Sequence, residues 1–362
     1  MNAALRFPRM ETRGVAVALL GTGVVGAALL RLLATPAASD VHLVGVADSR
    51  RQLCGVRGLV PAHARDALAR TGAARDDALL CRALDASGVA ERVIVDATAS
   101  EQVAASHARW LASGYHVVSA NKAAAGGGLS AWRALQRAIA LGRTRYGDAA
   151  TVGAGLPALA TVRRLRACGD RLVALDGVFS GSLSWLFNRF DGSRPFSALV
   201  REARERGLTE PDPRHDLAGA DVARKLLILA RAAGWPLDVD DVEVEGLVPP
   251  ALQAGGVPTF LDRLSEMDDA LEDWRRHAEA RGNVLRFLAR LDDGGAARVG
   301  LAEVAATHPA ARLVGADNLF SLTTERYRTS TLVIQGPGAG PDVTAQALLG
   351  DLLAIGQGSG FA

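Results

Sequence analysis

The 362-residue sequence predicts an α/β protein in which a parallel-sheet domain is interrupted by an α+β domain. Three observations predict it. A buried-strand pattern runs straight into a spaced set of glycines and then a helix pattern. Strand and helix patterns then alternate to about residue 140, the arrangement of a parallel sheet with helical crossovers. Beyond residue 150 that alternation stops, and a proline- and acid-rich loop feeds an amphipathic helix. Hydrophobic residues make up 49% and charged residues 22%, the balance of a globular chain rather than a disordered or coiled one.

The first strand is Val15–Leu20, VAVALL, apolar throughout as a strand buried on both faces must be. Gly21, Gly23 and Gly26 follow, with Val24 and Val25 between the last two, and the pattern AALLRLLA continues as a helix. In a Rossmann-type unit the first glycine permits the tight turn. The second lets the backbone approach a pyrophosphate, and the third lets helix and strand pack closely. The helix N-terminus then offers N–H groups and partial positive charge to phosphates. A second strand, 41–47, ends at Asp48, 22 residues past Gly26 and close to the roughly 20 expected of a ribose-binding carboxylate. Arg50 and Arg51 stand beside it, either to hold the 2′-phosphate of NADP or as ordinary surface charge, so the cofactor reads as NAD(P). Strands at 92–98 and 115–120 and helices at 101–113 and 130–140 complete the pattern. Ligands of such sheets lie beyond the carboxyl ends of the strands, which marks Thr98, Ala99, Ser100, Ala120 and Lys122 as crevice residues. A lysine capping the strand end is the alternative for Lys122.

In the second half, TVGAGLPAL is a glycine-rich loop leading to a helix with Pro157 in its first turn. The turn Ser180-Gly181-Ser182 presents hydroxyl and N–H groups, either to a carboxylate or as a helix N-cap. Pro211 and Pro213 are expected to exclude a helix and to hold Glu210, Asp212 and Asp216 on a stiff loop. A helix then begins near residue 219, with Leu226, Leu229, Ala230 and Ala233 as its apolar stripe. Asp221 and Lys225 lie one turn apart on a neighbouring face. Such a pair is ordinarily a solvated bridge worth a few tenths of a kcal/mol, about 0.2–0.5.

Composition argues for more. Of 41 basic side chains only two, Lys122 and Lys225, are lysines. An ammonium can lose a proton when buried, which a guanidinium in a protein cannot. The same counts exclude other classes. Net charge is +2 with arginines spread among the acids, so no nucleic-acid surface is expected. Cys54, Cys81 and Cys168 form neither a metal motif nor a disulfide framework, which predicts a reducing, cytoplasmic setting. The uncharged stretch 14–30 is shorter than a span of about 20 residues and is closed by Arg31, so no membrane association is expected.

The stretches GTGVVG, VDATAS, HVVSANKAA, TVGAGLPAL, GVFSGSLSWLFNRF, GLTEPDPRHDLAGADVARKLLILAR and LVIQGPGAGPDVTAQALLGDLL resemble the homoserine dehydrogenases over about residues 14–355. The likeness extends to the dehydrogenase portion of the bifunctional aspartokinase–homoserine dehydrogenases. The resemblance implies NAD(P)-linked interconversion of L-homoserine, the small-molecule substrate, and L-aspartate 4-semialdehyde, on the route to threonine and methionine. It places Lys122 and Lys225 as the active-site lysines and Glu210, Asp216, Asp221, Ser182 and Gly181 at the substrate. It brings Gly338, in GPGAG, back to the nicotinamide. Proton transfer is assigned to Lys225 and positioning of the substrate oxygen to Lys122, the reverse division being the alternative; Asp221 orients Lys225 or a water. It also implies a homodimer formed by the second domain.

Three departures qualify the resemblance. Ala149 stands where an acidic residue is common, so a structural Na⁺ would depend on the carbonyls of Val152, Ala154 and Leu156. Leu208 replaces an aromatic residue before TE. Neither a kinase nor a regulatory domain is seen, so threonine feedback through this polypeptide alone is not expected. The expected divisions are a flexible 1–12, a nucleotide-binding domain 13–150, a substrate and dimerisation domain 151–334, and a returning segment 335–362. Two rivals stand beside this reading: a related oxidoreductase of another small amino acid or aldehyde, and a catalytically silent dinucleotide sensor.

Overall fold

A computed structural model describes residues 12–358. Of the segment expected to be loose, 1–11 lie outside the described residues and Thr12 opens the first strand. The chain forms two compact units. The first runs through Ala123 and adds Ala134–Asp148 and the chain from Thr344; the second comprises Ala124–Arg133 and Ala149–Val343.

The first unit is built on a seven-stranded sheet of β1 (Thr12–Leu20), β2 (Val41–Ala47), β3 (Arg51–Cys54), β4 (Ala73–Ala74), β5 (Val89–Asp96), β6 (His116–Ser119) and β7 (Tyr146–Gly147). Their order is β4-β3-β2-β1-β5-β6-β7. β1 pairs in parallel with β2 on one side and β5 on the other, so successive crossovers leave it in opposite directions. That reversal opens a crevice at the carboxyl ends of β1 and β5. Every residue from Val15 to Leu20 is at most 1% exposed, which is why this strand is apolar without alternation.

The sheet is mixed rather than wholly parallel. β3 returns antiparallel to β2 and β4 antiparallel to β3. The cause is local: Asp48 Oδ1 accepts the backbone N–H groups of Arg50 and Arg51 at 2.7 Å each, and Asp48 N donates to Arg51 O. An aspartate bonded to the N–H groups just ahead of it is a turn device. The helix expected over 101–113 is likewise two pieces, Glu101–Ala104 and His107–Ala112, broken just before the buried His107.

The second unit holds β8 (Leu172–Val178), β9 (Val242–Val244), β10 (Asn283–Leu291), β11 (Ala297–Ala305), β12 (Asp317–Thr324) and β13 (Leu332–Pro337) in the order β13-β12-β8-β10-β11-β9. All neighbours are antiparallel except β11 with β9. Helices Ala158–Ala167, Gly181–Arg189, Phe196–Glu205 and Ala220–Ala233 contribute to one apolar core with these strands. At its centre Phe179 stacks on Phe320 with ring centroids 4.7 Å apart, both fully buried.

The segment that was expected to leave this domain at 334/335 does so at 343/344, because β13 pairs with β12 and Gly338 packs on Asn318. From Thr344 the last helix, Pro341–Gly356, belongs to the first unit. There a Cβ on Gly147 would come within 2.7 Å of Asp351, and Arg145 donates to Ala354 O and Gly358 O. The stiff loop also contains a surprise. Pro213 caps a single helical turn, Arg214–Leu217, so the prolines do not exclude a helix. Proline lacks only the N–H that a helix start leaves unpaired.

Truncating Phe320 to alanine should cost about 3–5 kcal/mol, as core aromatic deletions do. The expected result is a clearly lower denaturant midpoint, whereas Val314→Ala, at an exposed position, should shift stability by no more than about 0.5 kcal/mol.

Candidate active site

In the first unit the glycines behave as three different solutions to one problem. Gly21 has φ of +96°, a left-handed conformation favourable only to glycine. A Cβ on Gly26 would sit 1.9 Å from Gly21 O, so a side chain there cannot coexist with the turn. Gly23 caps helix Val24–Leu33 without a side-chain bond, and a Cβ built on it meets no protein atom within 4 Å. The space beside that position is open. Val24 is 73% exposed beside it, and no acid occupies the first helical turn. This cradle fits the pyrophosphate of a dinucleotide.

Asp48 is at the tip of β2 as expected, but one of its oxygens is taken by the turn. Desolvation works to raise its pKa; the Arg50 and Arg51 N–H bonds and the two guanidinium charges outweigh it and hold the carboxyl below its ordinary value. Arg75, which the sequence reading missed, donates to Asp48 O at 3.2 Å and pairs with Asp77. Arg50 and Arg51 thus act on the Asp48 carboxylate, and Arg75 holds the carbonyl of the same residue. Arg75 lies 27 positions from Asp48, just after a strand of two residues that no periodicity marks.

Thr98, Ser100 and Ala120 lie beyond β5 and β6, with Ala99 exposed between the first two. Ser100 Oγ caps the next helix by accepting from Val103 N, and Ala120 N donates to Asp96 O. Lys122, half-buried, begins the step from this sheet to helix Ala123–Gly126.

In the second unit a chain of bonds joins residues that sequence spacing left apart. Lys225 is 7% exposed, and its Nζ donates to Phe179 O at 2.8 Å and lies 2.8 Å from Asp221 Oδ2. Phe179 leads directly into the Ser180-Gly181-Ser182 turn. There Ser180 Oγ accepts Leu183 N as the helix N-cap and lies 2.9 Å from Ser182 Oγ. Ser182 Oγ donates to Asp216 Oδ1 at 2.7 Å, and Asp216 Oδ2 accepts Glu210 N at 2.8 Å. One aspartate therefore fixes both the serine turn and the loop carrying the exposed Glu210 carboxylate. Asp212 is not part of this set. Its pKa is lowered chiefly by the side-chain bond from Arg214, which also ties the loop to Gln253 O and Gly255 O. The pair is structural.

Two expected ligand positions look different. Gly338 is buried, and a Cβ on it would come within 2.2 Å of Asn318 Nδ2, so packing inside the second unit already requires the glycine. Among Val152, Ala154 and Leu156, Leu156 O accepts Ala158 N at 2.9 Å, while Ala154 is left-handed at φ 51°. These residues supply only neutral carbonyls, the ligand set of a weakly held alkali cation rather than of a divalent metal. Among the described residues no group of three His, Cys, Asp or Glu side chains gathers for a metal, and no helix is long and apolar enough to cross a membrane.

The first unit carries a glycine turn of the dinucleotide-binding kind, and the second a buried lysine paired with an aspartate. Residues 21–145 match the family model "Homoserine dehydrogenase, NAD binding domain", and 157–353 match "Homoserine dehydrogenase". The chain belongs to the homoserine dehydrogenase family. It is 40% identical over 356 residues to bifunctional aspartokinase/homoserine dehydrogenase 2 of Escherichia coli K12, covering 96% of this chain and 44% of that protein. It thus spans less than half the length of that relative. To the homoserine dehydrogenase of Emericella nidulans it is 39% identical over 302 residues, 80% of this chain and 81% of the other. A putative homoserine dehydrogenase structure from Archaeoglobus fulgidus superposes with a TM-score of 0.76 at 26% identity, covering 94% and 99% of the two chains.

Gly26→Ala should weaken dinucleotide binding by about tenfold or more, about 1.4 kcal/mol or above, in a fluorescence titration. Asp216→Asn turns an amide against Glu210 N or Ser182 Oγ. It should leave the dinucleotide Kd unchanged while raising the amino-acid substrate KM by about tenfold, the cost of one misplaced binding interaction.

Proposed function

We propose that the chain interconverts L-homoserine and L-aspartate 4-semialdehyde with NAD(P), in threonine and methionine biosynthesis. One observation carries the reading: a lysine 7% exposed, bonded to Phe179 O and Asp221, beside the Ser182–Asp216–Glu210 set. Oxidising a primary alcohol removes a hydride from carbon and a proton from oxygen. The dinucleotide, when bound, accepts the hydride. Lys225 takes the hydroxyl proton as its neutral amine and returns it in the reverse direction. Asp221, about half exposed, offers that proton a path to water. Lys122 holds the substrate oxygen in the same reading, and Glu210, Asp216 and the Ser182 turn hold the amino-acid end.

Gly21, Gly23, Val24, Val25 and Gly26 hold the pyrophosphate in this proposal. Thr98, Ala99, Ser100 and Ala120 line the nicotinamide end, and Gly338 keeps its assignment beside it. Asp48 favours a free ribose, and Arg50 and Arg51 favour a 2′-phosphate. A Na⁺ on the Val152, Ala154 and Leu156 carbonyls, a homodimer and a cytoplasmic setting belong to the same reading.

The test is the initial rate of NADH or NADPH formation from L-homoserine, each oxidised cofactor supplied separately, with L-serine and L-threonine as controls. Homoserine-specific turnover is expected. Dinucleotide binding without turnover of any of the three would replace the reading with a silent sensor.

A further inference from the structure

The carboxylate of Asp96 is fully buried at the end of β5, and no part of the proposed chemistry uses it. Three of its four side-chain bonds run to the loops after β5 and β6, and the fourth to His107. Oδ1 accepts Thr98 N at 2.8 Å and Thr98 Oγ1 at 2.7 Å. Oδ2 accepts Asn121 Nδ2 at 3.0 Å and lies 2.9 Å from His107 Nε2. His107, 0% exposed, reaches Tyr146 OH at 3.1 Å through Nδ1.

Asn121 is the second centre. It is 3% exposed, and its Nδ2 also donates to Ser100 O at 2.9 Å. Its Oδ1 accepts Ala123 N at 3.0 Å, and its own N–H donates to Ser119 Oγ at 3.0 Å. The bonds bracket Lys122: the residue before it is clamped to the neighbouring loop, and the N–H after it is held by the same amide. Lys122 itself stands between the end of β6 at Ser119 and a helix of only four residues.

We infer that Asp96, His107 and Asn121 form a positioning network that locks loop 97–100 to loop 120–123 and thereby sets the direction of Lys122. Asn121 is its most specific member, because one side chain serves both loops. The inference rests on the proposed function where it concerns turnover, and on the cofactor cradle alone where it concerns binding. A satisfied buried network acts as one unit, so removing one member frees both loops. Misplacement of a catalytic group by about 1 Å costs on the order of 100-fold in rate.

The experiment compares Asn121→Ala, Lys122→Arg and the double variant with wild type, recording melting temperature, dinucleotide Kd, homoserine KM and kcat. Asn121→Ser, which keeps an acceptor near Ala123 N but loses the amide donations, replaces the alanine variant if that does not fold. The expected result is a folded protein with kcat down about 100-fold and homoserine KM within about threefold. Dinucleotide Kd should rise about tenfold. In the Lys122→Arg background the same change should cost less than about threefold, because both act through one group. Two results would overturn the inference: kcat within about threefold of wild type in the folded variant, or losses that multiply in the double variant. If wild type itself turns over no homoserine, the functional reading fails separately. The Kd arm then decides alone, a tenfold rise supporting the network and an unchanged Kd overturning it.

Discussion

Everything in the second unit turns on an ammonium group kept away from water. Lys225 sits on a helix whose other buried residues are almost all aliphatic, and an unpaired charge there would be costly. It is sustained by Phe179 O and the Asp221 carboxylate, both at 2.8 Å. The carbonyl is placed by the core itself, because the same Phe179 ring is stacked on Phe320. The helix is placed by Gly219, whose φ of +74° turns the chain into it where a Cβ would strike the Phe287 ring at 2.8 Å. Packing, turn geometry and chemistry therefore meet at one side chain. The serine turn follows Phe179 directly, so its hydroxyls and the Asp216 carboxylate are positioned by the same carbonyl-bearing strand end.

The first unit solves the opposite problem with the same means. It buries a carboxyl group, that of Asp96, and surrounds it with donors from loops that follow β5 and β6. In the proposed chemistry the second unit holds a group that exchanges a proton, whereas the first holds one that gathers hydrogen-bond donors. Hydrogen-bonded networks of this kind make a loop as well defined as a strand, which suits loops that must face a cofactor.

The parts of this architecture that were legible in the sequence were those carried by local rules. Gly21 and Gly26 declare a strand–turn–helix because each answers a steric demand within the chain, one of backbone conformation and one of space. The scarcity of lysine singled out Lys225 before its burial was known. What was not legible depended on distant partners. No spacing rule connects Asp96 with His107 and Tyr146, or Arg75 with Asp48. The β2–β3 hairpin was hidden because Asp48 looked like a ligand residue, and its side chain proved also to be the turn's own hydrogen-bond acceptor. The helical turn after Pro213 was hidden for a related reason: proline was read as a breaker where it acts as an opener. Gly338 was recognisable as a constrained position, yet the constraint it shows is the Asn318 amide.

The central claim is that Lys225 is the proton-transferring group and is not there merely to fill its site. Arginine preserves the charge but cannot give up a proton under these conditions. The most direct measurement is therefore turnover of L-homoserine by Lys225→Arg beside its dinucleotide affinity. The account predicts unchanged dinucleotide binding with kcat lower by about 100-fold or more, the usual worth of a general base. Turnover within about threefold of wild type would contradict it and return the proton transfer to another group.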